Sequence, residues 1–501
     1  MSKKWGVLLG TSLAALMIGI DFTIVNTLLS NIQTELNASI NQLQWIMAGF
    51  GITFGALLII SGRLGDLVGH KKILYLSMFG FALASLGAGF ANTPWKLIIM
   101  RMLQGLLGAG IIPSGMAQVA NVFAKAEQGR ALGIYNSIVG VGLALGPVLG
   151  SIIDCSLNWR WIFFINVPIM MLSLLICLLF AQESKRISKI KINWLGAIFL
   201  ILLLVILNFI LHEGLRLGWT SKIMIAAMSA LLSSILGLYF SERKALMPII
   251  PLHLITNREF GLALTVYGVS AAFAWSILFL MPLYLHEIAG YSTTLTGVIL
   301  ASMTLMTLLA PGMAGYCYDK KSKTMTIHIL FGLVIISLFL FSLLKVQGSL
   351  SLIIISLVLF GFAWGMGNGI AMPIALSNWS TSAEAGSISG ALTTAMNILA
   401  IFTLVVITAL FNHKQLSWFE NILNKQSIDA TVAKQFSHLL SQPGQLYQLL
   451  AHTSHFLTEQ VIAAYKLSFT FALHFVYGVL LMVALTCWWW ANKLMKHQNW
   501  G

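Results

Sequence analysis

The stretch RALGIYNSIVGVGLALGPVLGSII (residues 130–153) decides the fold class of this chain. It runs for 24 residues, and the arginine at its start is its only charged residue. About 20 apolar residues are enough for a helix to cross the hydrocarbon core of a membrane. Small residues and a proline recur along it, at Gly133, Gly142, Gly146, Pro147 and Gly150. Because small residues let helices approach closely and proline bends a helix, the stretch predicts a closely packed, bent transmembrane helix.

The rest of the chain has the same character. Of its 501 residues, 58% are hydrophobic and 9% are charged, whereas soluble domains carry about 25% charged residues. The sequence therefore predicts an all-α integral membrane protein, since apolar runs of this length without two-residue alternation favour helices over barrel strands. Fourteen such runs predict 14 transmembrane helices, at roughly 5–29, 45–64, 73–91, 97–120, 130–153, 160–181, 194–212, 222–240, 260–285, 297–318, 326–345, 350–376, 385–410 and 467–492.

The net charge of +14 is explained by the loops and needs no nucleic-acid partner. If the N-terminus is cytoplasmic, inner segments hold 19 of the 29 basic residues and outer segments hold 9, with Arg101 inside a span. Lysine and arginine are enriched in cytoplasmic loops. We therefore expect a multi-pass protein of the cytoplasmic (inner) membrane, with both termini in the cytoplasm.

Two pairs of similar segments indicate an internal repeat. GRLGDLVGHKK (62–72) is similar to GYCYDKKSK (315–323), and AEQGRALG (126–133) is similar to AEAGSISG (383–390). Many transporters are built from such repeats, with a substrate site at the interface between them. We expect an N-terminal six-helix bundle (1–185), two linker helices, the seventh and eighth (186–245), and a C-terminal six-helix bundle (246–501) that includes an extracytoplasmic loop (412–466).

Two charged residues lie inside predicted spans, and they are the candidates for proton coupling. Asp21 lies midway along the first span, where an ionised carboxylate costs about 2.5–3.5 kcal/mol or more. Burial disfavours the charged form of a carboxyl group, so a buried carboxylate takes up a proton more readily than an exposed one. A coupling site needs this property because it must gain and lose a proton reversibly. Arg101 lies inside the fourth span and needs an acid, carbonyl oxygens or water there. Each also has a structural interpretation: Asp21 as a polar contact between helices, and Arg101 as a buried brace.

Several ordered segments together resemble the major facilitator superfamily, specifically its fourteen-helix drug:proton antiporter (multidrug efflux) branch. These segments are IDFTIVNTLL (20–29), GRLGDLVGHKK (62–72), RMLQGLLGAG (101–110), the glycine pattern of 130–153, and NWRWIFFINVPI (158–169). The resemblance implies the major facilitator fold, with two six-helix bundles and two inserted helices. It implies a conformational switch at Gly62, Asp66, Gly69 and Lys71. It implies an antiporter motif at Gly133, Gly142, Gly146, Pro147 and Gly150. The usual basic residues of the switch loop are replaced by Leu67 and His70.

The resemblance implies a proton-coupled antiporter that exports amphipathic small molecules, with the proton gradient as its energy source and no cofactor. Asp21 and Arg101 would form the coupling pair. Candidate substrate contacts are aromatic or amide side chains in central helices, at Asn26, Trp45, Gln104, Tyr135, Tyr267, Trp275 and Asn397.

Other functions are less well supported by the residues. His452 and His455 have a spacing that could hold a metal, but no third ligand is evident and no metal site is expected. Clustered catalytic groups and a phosphate-binding P-loop are absent from the sequence, which argues against an enzyme and against direct ATP drive. A dedicated exporter of a metabolite such as a siderophore, or a proton-linked uptake carrier, remains an alternative. The involvement of a periplasmic adaptor and an outer-membrane channel stays open.

Overall fold

The computed structural model describes residues 2–183, 193–218, 220–245, 257–346, 348–377, 382–426, 436, 440 and 455–496. The elements within these ranges are helices. Each of the fourteen predicted apolar runs coincides with helix over most of its length, so the prediction of an all-helical chain is confirmed.

Three predicted runs of the N-terminal half are interrupted. The run 5–29 breaks at a 3₁₀ turn, Val25–Leu28; the run 97–120 breaks near Ala109; and the run 160–181 breaks at Ile165. The helices of this half are α1 (Lys3–Ile24), α2 (Leu29–Leu36), α3 (Ile40–Val68), α4 (His70–Gly89), α5 (Pro94–Gly108), α6 (Ile111–Val122), α7 (Lys125–Ser156), α8 (Trp161–Phe164) and α9 (Asn166–Phe180).

The remaining helices are α10 (Trp194–Leu217), α11 (Lys222–Lys244), α12 (Arg258–Leu283), α13 (Thr293–Lys320), α14 (Lys323–Phe341), α15 (Leu350–Leu376), α16 (Ser382–Lys425) and α17 (His455–Lys496), with a π-helical turn, Tyr284–Ile288, after α12. The expected loop 412–466 is shorter than predicted, because α16 continues to Lys425 and α17 begins at His455. Phe419 and Leu423 are fully buried, so apolar packing extends the helix into this polar stretch.

Polar residues define where several helices begin. Ser39 and Gln42 form a capping box at the start of α3. The Thr93 side chain accepts a hydrogen bond from the backbone N–H of Lys96 at the start of α5. Such caps satisfy backbone N–H groups that have no partner within the helix.

Ten helical segments among the described residues are long and apolar enough to cross a membrane. Two further helices, α7 and α10, contain shorter apolar segments, Ile138–Gly150 and Trp194–Leu207. The chain is therefore a helical protein with many apolar spans, and the figure of fourteen spans remains a proposal.

The helices of the two halves pack in the same pattern. In the N-terminal half α1 packs against α7 and α3 against α5; in the C-terminal half α12 packs against α16 and α13 against α15. The halves meet where α7 packs against α13 and α3 against α16. Helices α10 and α11 pack against each other, and α10 also packs against α3 and α16. The two similar segment pairs also lie at equivalent places: one at the turns α3–α4 and α13–α14, the other at the starts of α7 and α16.

Candidate functional site

Asp21 and Arg101 form an ion pair inside the N-terminal half. The guanidinium of Arg101 donates from Nη1 to Oδ2 of Asp21. The side chain of Asp21 is 0% exposed and that of Arg101 is 2% exposed. The structure thus brings together the two intramembrane charges that the sequence singled out, from α1 and α5.

Three polar side chains complete a network around this pair. Gln104 accepts from Arg101 Nη1 at 2.9 Å and donates to Asp21 Oδ1 at 3.4 Å. Asn166 donates to the same Asp21 oxygen at 2.9 Å. Both amides also donate to the Ser85 hydroxyl, Gln104 at 2.7 Å and Asn166 at 3.3 Å. The carboxylate of Asp21 thus accepts hydrogen bonds from Arg101, Gln104 and Asn166.

Helix α5 places Arg101 and Gln104 on one face because they are three residues apart. Gly105 lets this helix approach α3 closely, since a Cβ there would lie 3.0 Å from the backbone nitrogen of Phe54. The hydroxyl of Thr53 on α3 donates to the carbonyl of Met102 at 2.8 Å and ties the two helices together. The Arg101 guanidinium lies 4.4 Å from the ring centroid of Phe50, a cation–π contact that adds to the attraction of the carboxylate.

The glycines of α7 pack directly against α1, the helix that carries Asp21. A Cβ on Gly142 would lie 3.2 Å from the Cα of Gly19, and one on Gly146 would lie 2.9 Å from the carbonyl oxygen of Ile20. One on Gly150 would lie 2.5 Å from the Thr27 hydroxyl. These glycines are therefore required for the close approach of the two helices. Pro147 is buried within α7, and Gly133 lies near its start.

The α3–α4 turn consists of one residue, Gly69, whose φ of 111° is disfavoured for any residue with a Cβ. Its N–H donates to the carbonyl of Gly65 at 2.9 Å. The Lys71 ammonium lies 5.7 Å from the ring centroid of Tyr75. Gly62 lies against α6, where an added Cβ would be 3.6 Å from Pro113 Cβ. The side chain of Asp66 lies outside the described residues.

A narrow cavity lies between the two halves, next to the ion pair. Arg101 is the one charged side chain among its described lining residues, and Asn26 lines it with an amide that is 1% exposed. Neither side-chain atom of Asn26 has a hydrogen-bond partner in the described part of the chain. The other lining residues are Phe22, Thr23, Val25, Met47, Phe50, Leu143, Trp275, Leu278 and Trp364.

Aromatic rings from both halves meet at this cavity. Phe22 on α1 contacts Phe50 on α3 edge-to-face at 4.9 Å between ring centroids, and Trp275 on α12 at 5.6 Å. The Trp275 ring also packs over Gly51, where an added Cβ would lie 2.9 Å from its Cζ3. The walls are thus planar apolar surfaces around one charged and one amide group, as small-molecule pockets commonly are.

The predicted substrate contacts divide into two groups. Asn26 and Trp275 line the cavity. Gln104 binds the ion pair instead, Trp45 is buried in the core, Tyr267 is half-buried and packs against the core, and the side chain of Asn397 lies outside the described residues.

Tyr135 was expected near the substrate, but it lies between α6 and α7. It is fully buried, and its hydroxyl donates to the carbonyl of Ile112 at 3.3 Å. The rotation of α7 about its own axis turns this side chain away from the cavity, and the sequence does not specify that rotation.

Sequence reasoning did not name several members of the site, among them Ser85 and Trp364. Ser85 is one of two serines in the apolar run of α4, and Trp364 is one of 15 tryptophans in the chain. Neither carries a signal that separates it from packing residues. Within the described residues, three or more His, Cys, Asp or Glu side chains never cluster as a metal site would require; the side chains of His452 and His455 lie outside them.

Known proteins of similar sequence include drug-resistance and antibiotic-resistance proteins and transporters of small molecules. The chain is 32% identical to "Multidrug resistance protein 3" of Bacillus subtilis (strain 168) over 63% of this chain and 62% of that protein. It is 27% identical to the "Probable actinorhodin transporter" of Streptomyces coelicolor over 82% of this chain and 73% of that protein. For several such relatives, including Multidrug resistance protein 3, the match spans about six tenths of the relative's own length.

Solved structures and a family model identify the fold. A bacterial homologue of the human lysosomal transporter Spinster, in an inward-facing and occupied conformation, superposes with a TM-score of 0.70 at 15% identity, over 99% of this chain and 98% of that one. The model of the Major Facilitator Superfamily matches residues 11–404. With the repeated helix packing and a cavity between the halves, this match shows that the chain belongs to the Major Facilitator Superfamily of membrane transporters.

Proposed function

We propose that this protein is a proton-coupled antiporter of the fourteen-helix drug-export branch, which expels amphipathic small molecules across the cytoplasmic membrane with both termini in the cytoplasm. One observation carries the proposal: Arg101 binds the buried carboxylate of Asp21 and also lines the cavity between the halves. A change in the charge of Asp21 would therefore change the electrostatic potential in the cavity where the cargo would bind. Multidrug and antibiotic-resistance proteins among the relatives support export as the direction.

Because Asp21 is paired with Arg101, protonation of Asp21 would have a large electrostatic effect on the site. With Asp21 ionised, its charge compensates that of Arg101; with Asp21 protonated, Arg101 faces the cavity as an uncompensated cation. Removing one partner of a buried ion pair costs about 3–5 kcal/mol. Since about 1.4 kcal/mol corresponds to a tenfold change in an equilibrium constant, we expect protonation to shift a conformational or binding equilibrium by roughly two to three and a half orders of magnitude.

The hydrogen bonds around Asp21 set the order of events. In the observed arrangement the carboxylate accepts from three donors, Arg101, Gln104 and Asn166, so we expect proton uptake by Asp21 to require that at least one of them move away. Their separation would accompany the change from one side of the membrane to the other. Cargo and proton then bind to different conformations, as antiport requires.

The cavity walls account for a broad cargo range. Phe22, Phe50, Trp275 and Trp364 offer aromatic faces to flat apolar groups of varied shape. Asn26 offers a donor and an acceptor that the described residues leave unused. An amphipathic cargo that satisfies this amide would gain a hydrogen bond without breaking one within the protein.

The test uses proteoliposomes with an imposed pH gradient and ethidium or Hoechst 33342 as cargo. Asp21→Asn keeps the size and hydrogen-bonding capacity of the side chain but removes its titration. We expect it to bind dye but to lose dye-dependent proton flux and accumulation against a gradient. Glu127→Gln is the matched control, because Glu127 is an exposed carboxylate in the same half. Equal proton flux in wild type and Asp21→Asn would assign the coupling to another residue.

A dedicated metabolite exporter has the same machinery and differs only in cargo. Comparing the compounds secreted by a deletion strain and its complemented strain tests this alternative. Loss of one secreted metabolite without any change in drug susceptibility would favour it.

A further inference from the structure

A second concave site, the lateral groove, lies on the membrane-facing side of the C-terminal half. It offers about 890 Å³ of open space. It is lined by Leu264, Thr265 and Val269 of α12, Leu399 of α16, and Thr486, Cys487, Trp489 and Trp490 of α17. Two small residues, Gly261 and Thr265, lie four residues apart on α12. This recesses one face of the helix, and the groove lies there.

The end of the lateral groove is basic. The ammonium of Lys493 lies 5.7 Å from the ring centroid of Trp489 and 5.6 Å from that of Trp490. Lys493 and Lys496 both lie in the last turn of α17 and are exposed. Tryptophan and lysine together at a helix end are typical of the level at which lipid headgroups lie.

We infer that the lateral groove binds one anionic phospholipid, with an acyl chain along the apolar lining and the phosphate at Lys493 and Lys496. The lining is apolar and open to the bilayer, which suits an acyl chain. The two lysines at its end carry positive charge, and each lysine near a lipid surface favours anionic over neutral headgroups by about fivefold. A zwitterionic headgroup brings its own ammonium group, which the two lysines would repel.

The site can be tested on the full-length protein, purified and incubated with equimolar dioleoyl phosphatidylglycerol and dioleoyl phosphatidylcholine. Native mass spectrometry then counts the lipids retained per protein. The two probes share their acyl chains, so a preference reports the headgroup. We expect the first retained lipid to be phosphatidylglycerol, by at least severalfold, and the preference to vanish in Lys493→Ala/Lys496→Ala.

Two further variants separate this site from general lipid contact. Lys321→Ala/Lys323→Ala removes the same charge at the α13–α14 turn and should leave the preference intact. Thr265→Phe fills the groove and should reduce retention of the first lipid while leaving dye transport measurable. Equal retention of the two lipids by the wild type, or an equal loss in both lysine double variants, would overturn the inference. Displacement of phosphatidylglycerol by ethidium at transport concentrations would overturn it too, by making the groove a cargo site.

Discussion

Gly146 of α7 lies against the carbonyl of Ile20, the residue that precedes Asp21 on α1. A Cβ at position 146 would be 2.9 Å from that oxygen and 3.0 Å from the backbone nitrogen of Ile24. Real Cβ atoms essentially never approach that closely, so any side chain here must push α1 away. The glycine motif of α7 and Asp21, the proposed coupling carboxylate, thus form one structural unit, in which the motif fixes the position of Asp21.

The first prediction concerns this contact. Gly146→Ala should displace α1 and reduce transport by tenfold or more, while the protein still inserts into the membrane. Gly140→Ala is the control, because a Cβ at that position would lie 3.9 Å from the nearest atom, the carbonyl oxygen of Thr307. Dye efflux from cells with matched expression measures both. Normal efflux by Gly146→Ala would show that α7 and α1 need not pack this closely.

The second prediction concerns charge balance in the ion pair. Arg101→Met leaves a buried carboxylate without its partner and should destabilise the protein by about 3–5 kcal/mol. Asp21→Asn/Arg101→Met removes both charges and should recover much of that loss, although we expect neither variant to transport. Thermal unfolding in detergent gives the comparison. If the double variant is less stable than Arg101→Met alone, the two charges do not compensate each other.

The third prediction separates binding from stability at Asn26. A buried amide without partners costs about 1–3 kcal/mol, so Asn26→Leu should raise the thermal stability of the cargo-free protein. The same change should weaken dye binding, measured by quenching of tryptophan fluorescence. A residue that only braced the fold would lose stability on substitution. Unchanged dye affinity would therefore remove Asn26 from the cargo site.

The fourth prediction concerns the turn between α3 and α4. Gly69→Ala places a Cβ on a backbone with φ of 111° and should cost about 1–2 kcal/mol or more. Transport should slow, because this turn links two helices of the proposed switch. Gly332→Ala, on α14, would meet no atom within 4 Å of its Cβ and should transport normally. Equal transport rates in the two variants would show that the backbone conformation at Gly69 does not limit transport.

The order of helices was predictable because it depends on local composition. A run of about 20 apolar residues must be helical in a bilayer, whatever surrounds it. The same reasoning located Asp21 and Arg101, since a charge in such a run is conspicuous. It did not predict that α16 and α17 extend into 412–466, because there the apolar residues Phe419 and Leu423 are buried against the rest of the protein within a polar stretch.

By itself, then, the sequence determined the helical class, the internal repeat, the two intramembrane charges and the glycine motif. Only the tertiary structure decided what these residues touch: that Asn166 and Ser85 join the pair, that α7 packs against the helix of Asp21, and that Asn26 faces the cavity while Tyr135 does not. The reason is that the sequence does not specify how each helix is rotated about its own axis. A span this apolar leaves no amphipathic stripe to indicate which face of a helix points inward, so that orientation is set by the fit of glycines, rings and amides between helices that are distant in the chain.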